Sequence, residues 1–201
     1  MIPSDSCFEN AEVRMSELRE QLLSLIKEMA LEIGTVVLSS GRTSDYYVDL
    51  RRIVLTPRGA YLTARLLLDL VRPEVSAIGG MTLGADPIVS SMIVVGHMEG
   101  RDLCGLIVRK KAKRHGKRRF IEGPLMEAGA KVAVVDDVVT TGNSLLRSIE
   151  RLEEAGYTPI QTLAVLDRME GGREALSAAG FELESLFTRD DLGIAPRDHS
   201  M

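Results

Sequence analysis

An α/β fold, with a mainly parallel central sheet flanked by helices, is what two features of this sequence predict. From Val75 onward, short apolar runs alternate with amphipathic stretches, strand after helix after strand, which is the pattern of a parallel sheet covered on both faces. The chain has 201 residues, enough for one domain whose core needs no metal or disulfide staple. Its 45% apolar and 27% charged residues are the balance of a soluble globular protein.

Taken in order, residues 1–10 read as a tail. Between Val13 and Ile33, the residues Met15, Leu18, Leu22, Leu25, Ile26, Met29 and Ile33 recur at helical spacing and predict an amphipathic helix that Gly34 ends. Val36–Leu38 and Tyr46–Asp49 are β-like stretches around a turn at Ser40-Gly41. Thr56 before Pro57 is a cap and first-turn signal for a helix to about Val71. Val75–Ile78 reads as a strand entering Gly79-Gly80, followed by a helix over Pro87–His97 and a strand over Leu103–Val108. Then come a buried strand at Lys131–Val135, a helix from Asn143 to about Ala155, and a strand at Ile160–Leu166. A helix over Arg173–Ala179 and a strand over Phe181–Phe187 close the pattern. Ligands of such sheets bind beyond the carboxyl ends of the strands. The loops at 79–86, 109–122, 136–142 and 167–172 are therefore the places to look for function.

One of those loops carries unusual chemistry. The apolar run Val132–Val135 delivers Asp136 and Asp137 to the sheet's open end, and Thr140-Thr141-Gly142-Asn143-Ser144 then enters a helix. A helix start offers unpaired N–H groups and a positive dipole end, to which the hydroxyls add donors. Two carboxylates suit a vicinal diol, and the turn suits a phosphate, so the combination points to a sugar phosphate. Capping of a turn and of a helix explains either half alone. It does not explain both within thirteen residues.

The net charge is −4, yet Arg109–Arg119 reads RKKAKRHGKRR, with eight of the chain's 25 basic residues in eleven positions. Like charges at that density repel one another and stay in water until a polyanion neutralises them. Nucleic acid phosphates and the pyrophosphate of a small substrate both fit that description. The tract's place, directly after a strand of the same sheet, favours the small substrate. With no Trp and 4% aromatics, a stacking surface for single strands is poorly supplied. Cys7 and Cys104 form no CxxC pair and read as reduced thiols. The acidic N-terminus has no uninterrupted apolar run, so neither a signal peptide nor a membrane span is expected.

VVDDVVTTG at 134–142 resembles the signature of type I phosphoribosyltransferases, while no GxxxxGK[ST] or GxGxxG motif occurs. Arg109, Lys110, Lys113 and His115 match RKxxKxHG, which resembles the mobile catalytic loop of orotate phosphoribosyltransferases. The resemblance runs from about Gly34 to Leu192. It implies a single domain over 1–201, with a hood from roughly residues 1–50 and the C-terminal segment, and a mobile loop at 109–122. It also implies transfer of ribose 5-phosphate from phosphoribosyl pyrophosphate to orotate, with Mg²⁺ held mainly by substrate and water. The enzyme is then expected to be cytoplasmic and a homodimer whose 109–122 loop reaches the partner's site, with neither nucleic acid nor membrane as partner.

By the same resemblance, Asp136, Asp137, Arg109, Lys113 and His115 are catalytic. Lys110, Val138, Val139, Thr140, Thr141, Gly142, Asn143 and Ser144 bind substrate, and Arg168 pairs with the carboxylate of orotate. His115 serves as a proton donor or as a hydrogen-bond donor to phosphate. A surface salt bridge is the plain alternative for Arg168. Ser39 stands where many members of the family have lysine, and the 80–87 loop has none, so backbone N–H groups there are expected to substitute. The competing readings are a purine phosphoribosyltransferase and a nucleotide-sensing regulator that puts the basic tract on RNA.

Overall fold

The computed structural model describes residues 5–37, 43–111 and 120–194. Helix α1 spans Asp5–Leu25, and its last turn widens to π-type geometry over Ile26–Ala30. Leu22, Ile26 and Ala30, four apart on one face, are fully buried, and each large side chain contributes about 1.5–3 kcal/mol. The tail expected over residues 1–10 is thus helical from Asp5.

The helix expected to reach Ile33 gives way to a strand instead. Strand β1 (Leu31–Val37) pairs antiparallel with β2 (Thr43–Val48), and the register slips between Ile33 and Val36. Gly34 lies in that bulge at φ +144°, so it bends a strand rather than ending a helix. Met29 and Ile33, the last members of the apparent helical stripe, are 42% and 74% exposed. The periodicity was accidental there. The turn expected at Ser40-Gly41 lies outside the described residues.

A short helix α2 (Arg51–Val54), not anticipated, leads to α3 (Pro57–Leu70). The Thr56 hydroxyl accepts a bond from the Gly59 N–H at 3.2 Å, the cap its sequence announces. Then follow β3 (Ala77–Met81), α4 (Asp86–Met98), β4 (Cys104–Val108) and the two-residue β5 (Ile121–Glu122). After these come β6 (Lys131–Val139), α5 (Asn143–Glu154), β7 (Thr158–Asp167), α6 (Gly172–Ala178) and β8 (Leu183–Thr188), with a 3₁₀ turn at Asp190–Leu192.

The sheet order is β5-β4-β3-β6-β7-β8, parallel throughout except for β5. Ala133 and Val135 pack with α1, α3 and α4, while Val132 and Val134 pack with α5 and α6. That alternation explains why the run is apolar without a break: both faces of the strand are covered.

Two expected loops are partly strand. Gly79 and Gly80 lie inside β3, because their lack of a side chain admits Leu152 and Ala85 close against the backbone. Strand β6 continues through Asp136 and Asp137, since β7 keeps pairing with it as far as Val139. The crossovers from β3 and β6 leave the sheet on opposite faces, through α4 and α5. The adjacent ends of β3 and β6 therefore open a crevice. The two chain ends are also joined: Arg19 of α1 donates to the Leu186 carbonyl at 3.0 Å and pairs with Asp191 at 3.1 Å.

Candidate active site

A cleft of about 240 Å³ lies at that crevice, and its walls come from three elements. Strand β6 supplies Asp136 and Asp137, the loop after β3 supplies Thr82–Gly84, and the passage from the end of β2 into α2 supplies Tyr47, Asp49 and Arg51. Lys110 and Ser144 complete it. A larger cleft of about 380 Å³ beside Phe120–Leu125 contains none of these sheet-end groups.

Asp136 is 7% exposed, and its Oδ1 accepts the Asp137 N–H at 3.1 Å. The Asp137 carboxylate in turn accepts the Val138 N–H at 2.9 Å. Burial pushes the Asp136 carboxyl well above its ordinary range, and the neighbouring Asp137 charge pushes it further. Asp136 therefore takes up a proton more readily than a carboxylate in water.

The hydroxyl-rich turn stands just beyond. The first bond closing α5 runs from the Leu146 N–H to the Gly142 carbonyl at 3.0 Å. The N–H groups of Asn143, Ser144 and Leu145 are therefore open at the helix start, with no partner among the described residues. Gly142 sits at φ +75°, and a Cβ there would come within 3.0 Å of the Gly172 carbonyl. The turn is thus packed against the start of α6, and only glycine combines that contact with that backbone.

In the loop after β3, the Thr82 and Ala85 N–H groups bond to Val108 and Met81, whereas those of Leu83 and Gly84 have no partner among the described residues. Successive N–H groups without partners can bind an anion where they turn to one side. Gly84 is tight against the acid pair: an added Cβ would lie 2.5 Å from Asp137 Oδ1. Gly84→Ala is expected to leave the protein folded but to displace that carboxylate, cutting kcat/KM by about tenfold or more. Kinetics beside a melting curve check this, and normal turnover would detach Asp137 from the chemistry.

The cations are distributed unevenly. Arg51 forks onto Asp49, with Nε at 2.7 Å from Oδ1 and Nη2 at 3.1 Å from Oδ2. The Arg51 fork holds the Asp49 carboxyl below its usual range, and Asp49 raises Arg51 in return. Arg109 is tied to Glu122 at 3.1 Å and lines a third cleft, of roughly 220 Å³, with Lys110, Ser144 and Arg147. Lys113 and His115 lie outside the described residues.

Arg168 does not line the 240 Å³ cleft. It is 5% exposed beneath β2, donating to the Tyr46 hydroxyl at 3.1 Å and the Ser44 hydroxyl at 3.0 Å, with its guanidinium 4.4 Å from the Tyr46 ring centre. It also pairs with Glu170 at 2.8 Å, but with Arg168 buried this is not the surface salt bridge that was its plain alternative. Val139 is likewise set apart: its side chain is in the core, and its carbonyl accepts the Arg168 N–H. Sequence reading placed Asp49 and Arg51 only within the hood segment, by resemblance, and gave neither of them nor Glu170 a role of its own. The only local signals were acid–base pairs two residues apart, Asp49 with Arg51 and Arg168 with Glu170.

Residues 104–184 match the Phosphoribosyl transferase domain family. Over 178 residues the chain is 46% identical to the orotate phosphoribosyltransferase of Thermosynechococcus vestitus, covering 89% of this chain and 94% of that protein. It superposes on the orotate phosphoribosyltransferase of Mycobacterium tuberculosis H37Rv in complex with Fe(III) dicitrate with a TM-score of 0.77 at 40% identity. That match covers 88% of this chain and 99% of the other. The crystal structure of the Mycobacterium tuberculosis enzyme with 5-phospho-alpha-D-ribosyl 1-diphosphate superposes with a TM-score of 0.74 at 36% identity, over 88% and 99% of the two chains.

Proposed function

The chain belongs to the orotate phosphoribosyltransferase family, and on that premise we infer how its own residues divide the work of moving ribose 5-phosphate from phosphoribosyl pyrophosphate to orotate. One observation carries the reading. Strand β6 presents two carboxylates and, within one turn of chain, an open hydroxyl-lined helix start, so the two ends of one sugar phosphate can be gripped from a single corner.

In this reading Asp136 and Asp137 take the ribose hydroxyls, and Thr140–Ser144 take the 5-phosphate through N–H and hydroxyl donors. The free N–H groups of Leu83 and Gly84 receive the pyrophosphate. Arg51, a cation on the wall facing them, stands in for the lysine that the 80–87 loop lacks. Lys110, Arg109 and Lys113 neutralise the charge that gathers on the departing pyrophosphate, and His115 donates a proton or a hydrogen bond to it. Arg168 pairs with the carboxylate of orotate, a group that a purine does not carry.

Among the described residues, no three His, Cys, Asp or Glu side chains gather to hold a metal. Two carboxylates beside an open cleft fit a magnesium ion that takes its other ligands from substrate and water. Bound there, magnesium would supply positive charge that offsets the charge of the leaving group. No covalent nucleophile is needed, because the leaving group is good and the protein's part is positioning and electrostatics.

The paired β1 and β2 serve as the hood over the base, and the 109–122 loop closes the site against water. Among the described residues no helix is long and apolar enough to cross a membrane. The unpaired Cys104 agrees with a cytosolic setting. Incubation with orotate, phosphoribosyl pyrophosphate and Mg²⁺ should consume orotate absorbance, and Asp137→Asn should abolish most of that loss. If the enzyme is a homodimer that lends its loop across, mixing Asp137→Asn with Lys113→Ala chains should recover up to about a quarter of wild-type activity, the statistical share of sites left intact. No recovery despite proven subunit exchange would place each whole site within one chain.

A further inference from the structure

We propose that Glu170 is a specificity residue whose carboxylate holds, in the free site, the place on Arg168 that the carboxylate of the incoming base takes over. This rests on the reading above that Arg168 receives that base.

The geometry is that of a place-holder. A guanidinium buried to 6% side-chain exposure needs a counter-charge, because an unpaired one costs several kcal/mol. Glu170 supplies it with a single oxygen: Oε1 accepts from Nε at 3.0 Å and lies 2.8 Å from Nη2 as an ion pair. The Tyr46 and Ser44 hydroxyls use the same two nitrogens. That edge of the guanidinium is therefore full, while Nη1 has no hydrogen bond among the described residues. The partners differ in freedom. Arg168 is enclosed and fixed by Ser44 and Tyr46, whereas the Glu170 side chain is 29% exposed and follows Met169 in a turn at φ +56°. Glu170 can swing into water, and Arg168 cannot follow it.

A carboxylated base thus exchanges one anion for another and keeps the buried charge balanced. A neutral base has nothing to offer Arg168, and it leaves the internal pair standing where its own ring must sit. Retaining both carboxylates on one guanidinium is opposed by their mutual repulsion.

The test is the KM for orotate at saturating sugar donor in Glu170→Gln and Glu170→Asp, with Arg168→Ala in parallel. Without the competing anion, Glu170→Gln should lower that KM by roughly fivefold, the size of a partly exposed ion pair, and leave the KM for the sugar donor in place. Glu170→Asp, one methylene short, should move it the same way and keeps the test alive if the amide variant does not fold. A raised orotate KM in these variants would make Glu170 a support for Arg168, and an unchanged one would make the contact irrelevant; either overturns the proposal. The underlying reading fails separately, if Arg168→Ala leaves the orotate KM untouched.

Discussion

Asp137→Asn is expected to lower kcat/KM by about a hundredfold or more. A carboxylate accepting from ribose hydroxyls makes charge-assisted bonds worth about 1.5–3 kcal/mol each. An amide keeps the shape but loses the charge and one acceptor, and two such bonds amount to at least two powers of ten in rate. Asp136→Asn removes an acceptor oxygen beside the same hydroxyls and should also cost activity, and it should change stability with pH.

Burial, and after it the charge of Asp137, raises the Asp136 carboxyl well above its ordinary value of 3.8, so the fold favours the neutral form. The folded state then binds more protons than the unfolded chain between those two values, and stability must fall as pH rises through that window. Its contribution is fully present below 3.8 and is lost above the raised folded value. An uncharged Asn escapes that loss. Its melting temperature should exceed the wild type's at neutral pH by about 2–4 °C per kcal/mol relieved, and the gap should close in acid. Melting curves of both proteins over a pH series check this. Equal melting temperatures at neutral pH would mean that Asp136 ionises in the fold without cost.

Arg168→Ala should raise the KM for orotate about thirtyfold or more and change the KM for the sugar donor little. Truncating one partner of a buried, hydrogen-bonded charge pair costs about 2–5 kcal/mol, and each 1.4 kcal/mol is a factor of ten in affinity. Arg168→Lys should not restore the value, because one ammonium cannot reach Ser44 and Tyr46 and also face a carboxylate in two-point contact. The variant should also melt lower, since Arg168 is what ties β2 to the end of β7. Equal effects on the two substrates would place the base's carboxylate on another group.

How much of this was readable in advance differs between elements for physical reasons. The strands of the central sheet were legible because burial on both faces demands unbroken apolar runs, as at Val132–Val135. The Thr56-Pro57 helix start was legible because capping is local chemistry. The acid pair and the turn after it were legible as a unit because one strand and one helix start hold them within thirteen residues. The helix end was misread, since Met29 and Ile33 happen to fall on the stripe although they face water, and only pairing with β2 turns residues 31–37 into a strand.

What the sequence determined by itself is therefore the local part: the α/β order of elements, the corner made by Asp136, Asp137 and Thr140–Ser144, and the concentration of positive charge at 109–119. Tertiary structure alone decided which distant groups share a space. Arg51 reaches the acid pair's cleft from the start of α2, Gly84 presses on Asp137 from the loop after β3, and Arg168 is buried under a tyrosine 122 positions away. Propensity, capping and hydrophobic period act over a few residues and leave a trace in any short window of sequence. Contacts across a sheet depend on strand order and register, and those are settled only when both faces are packed.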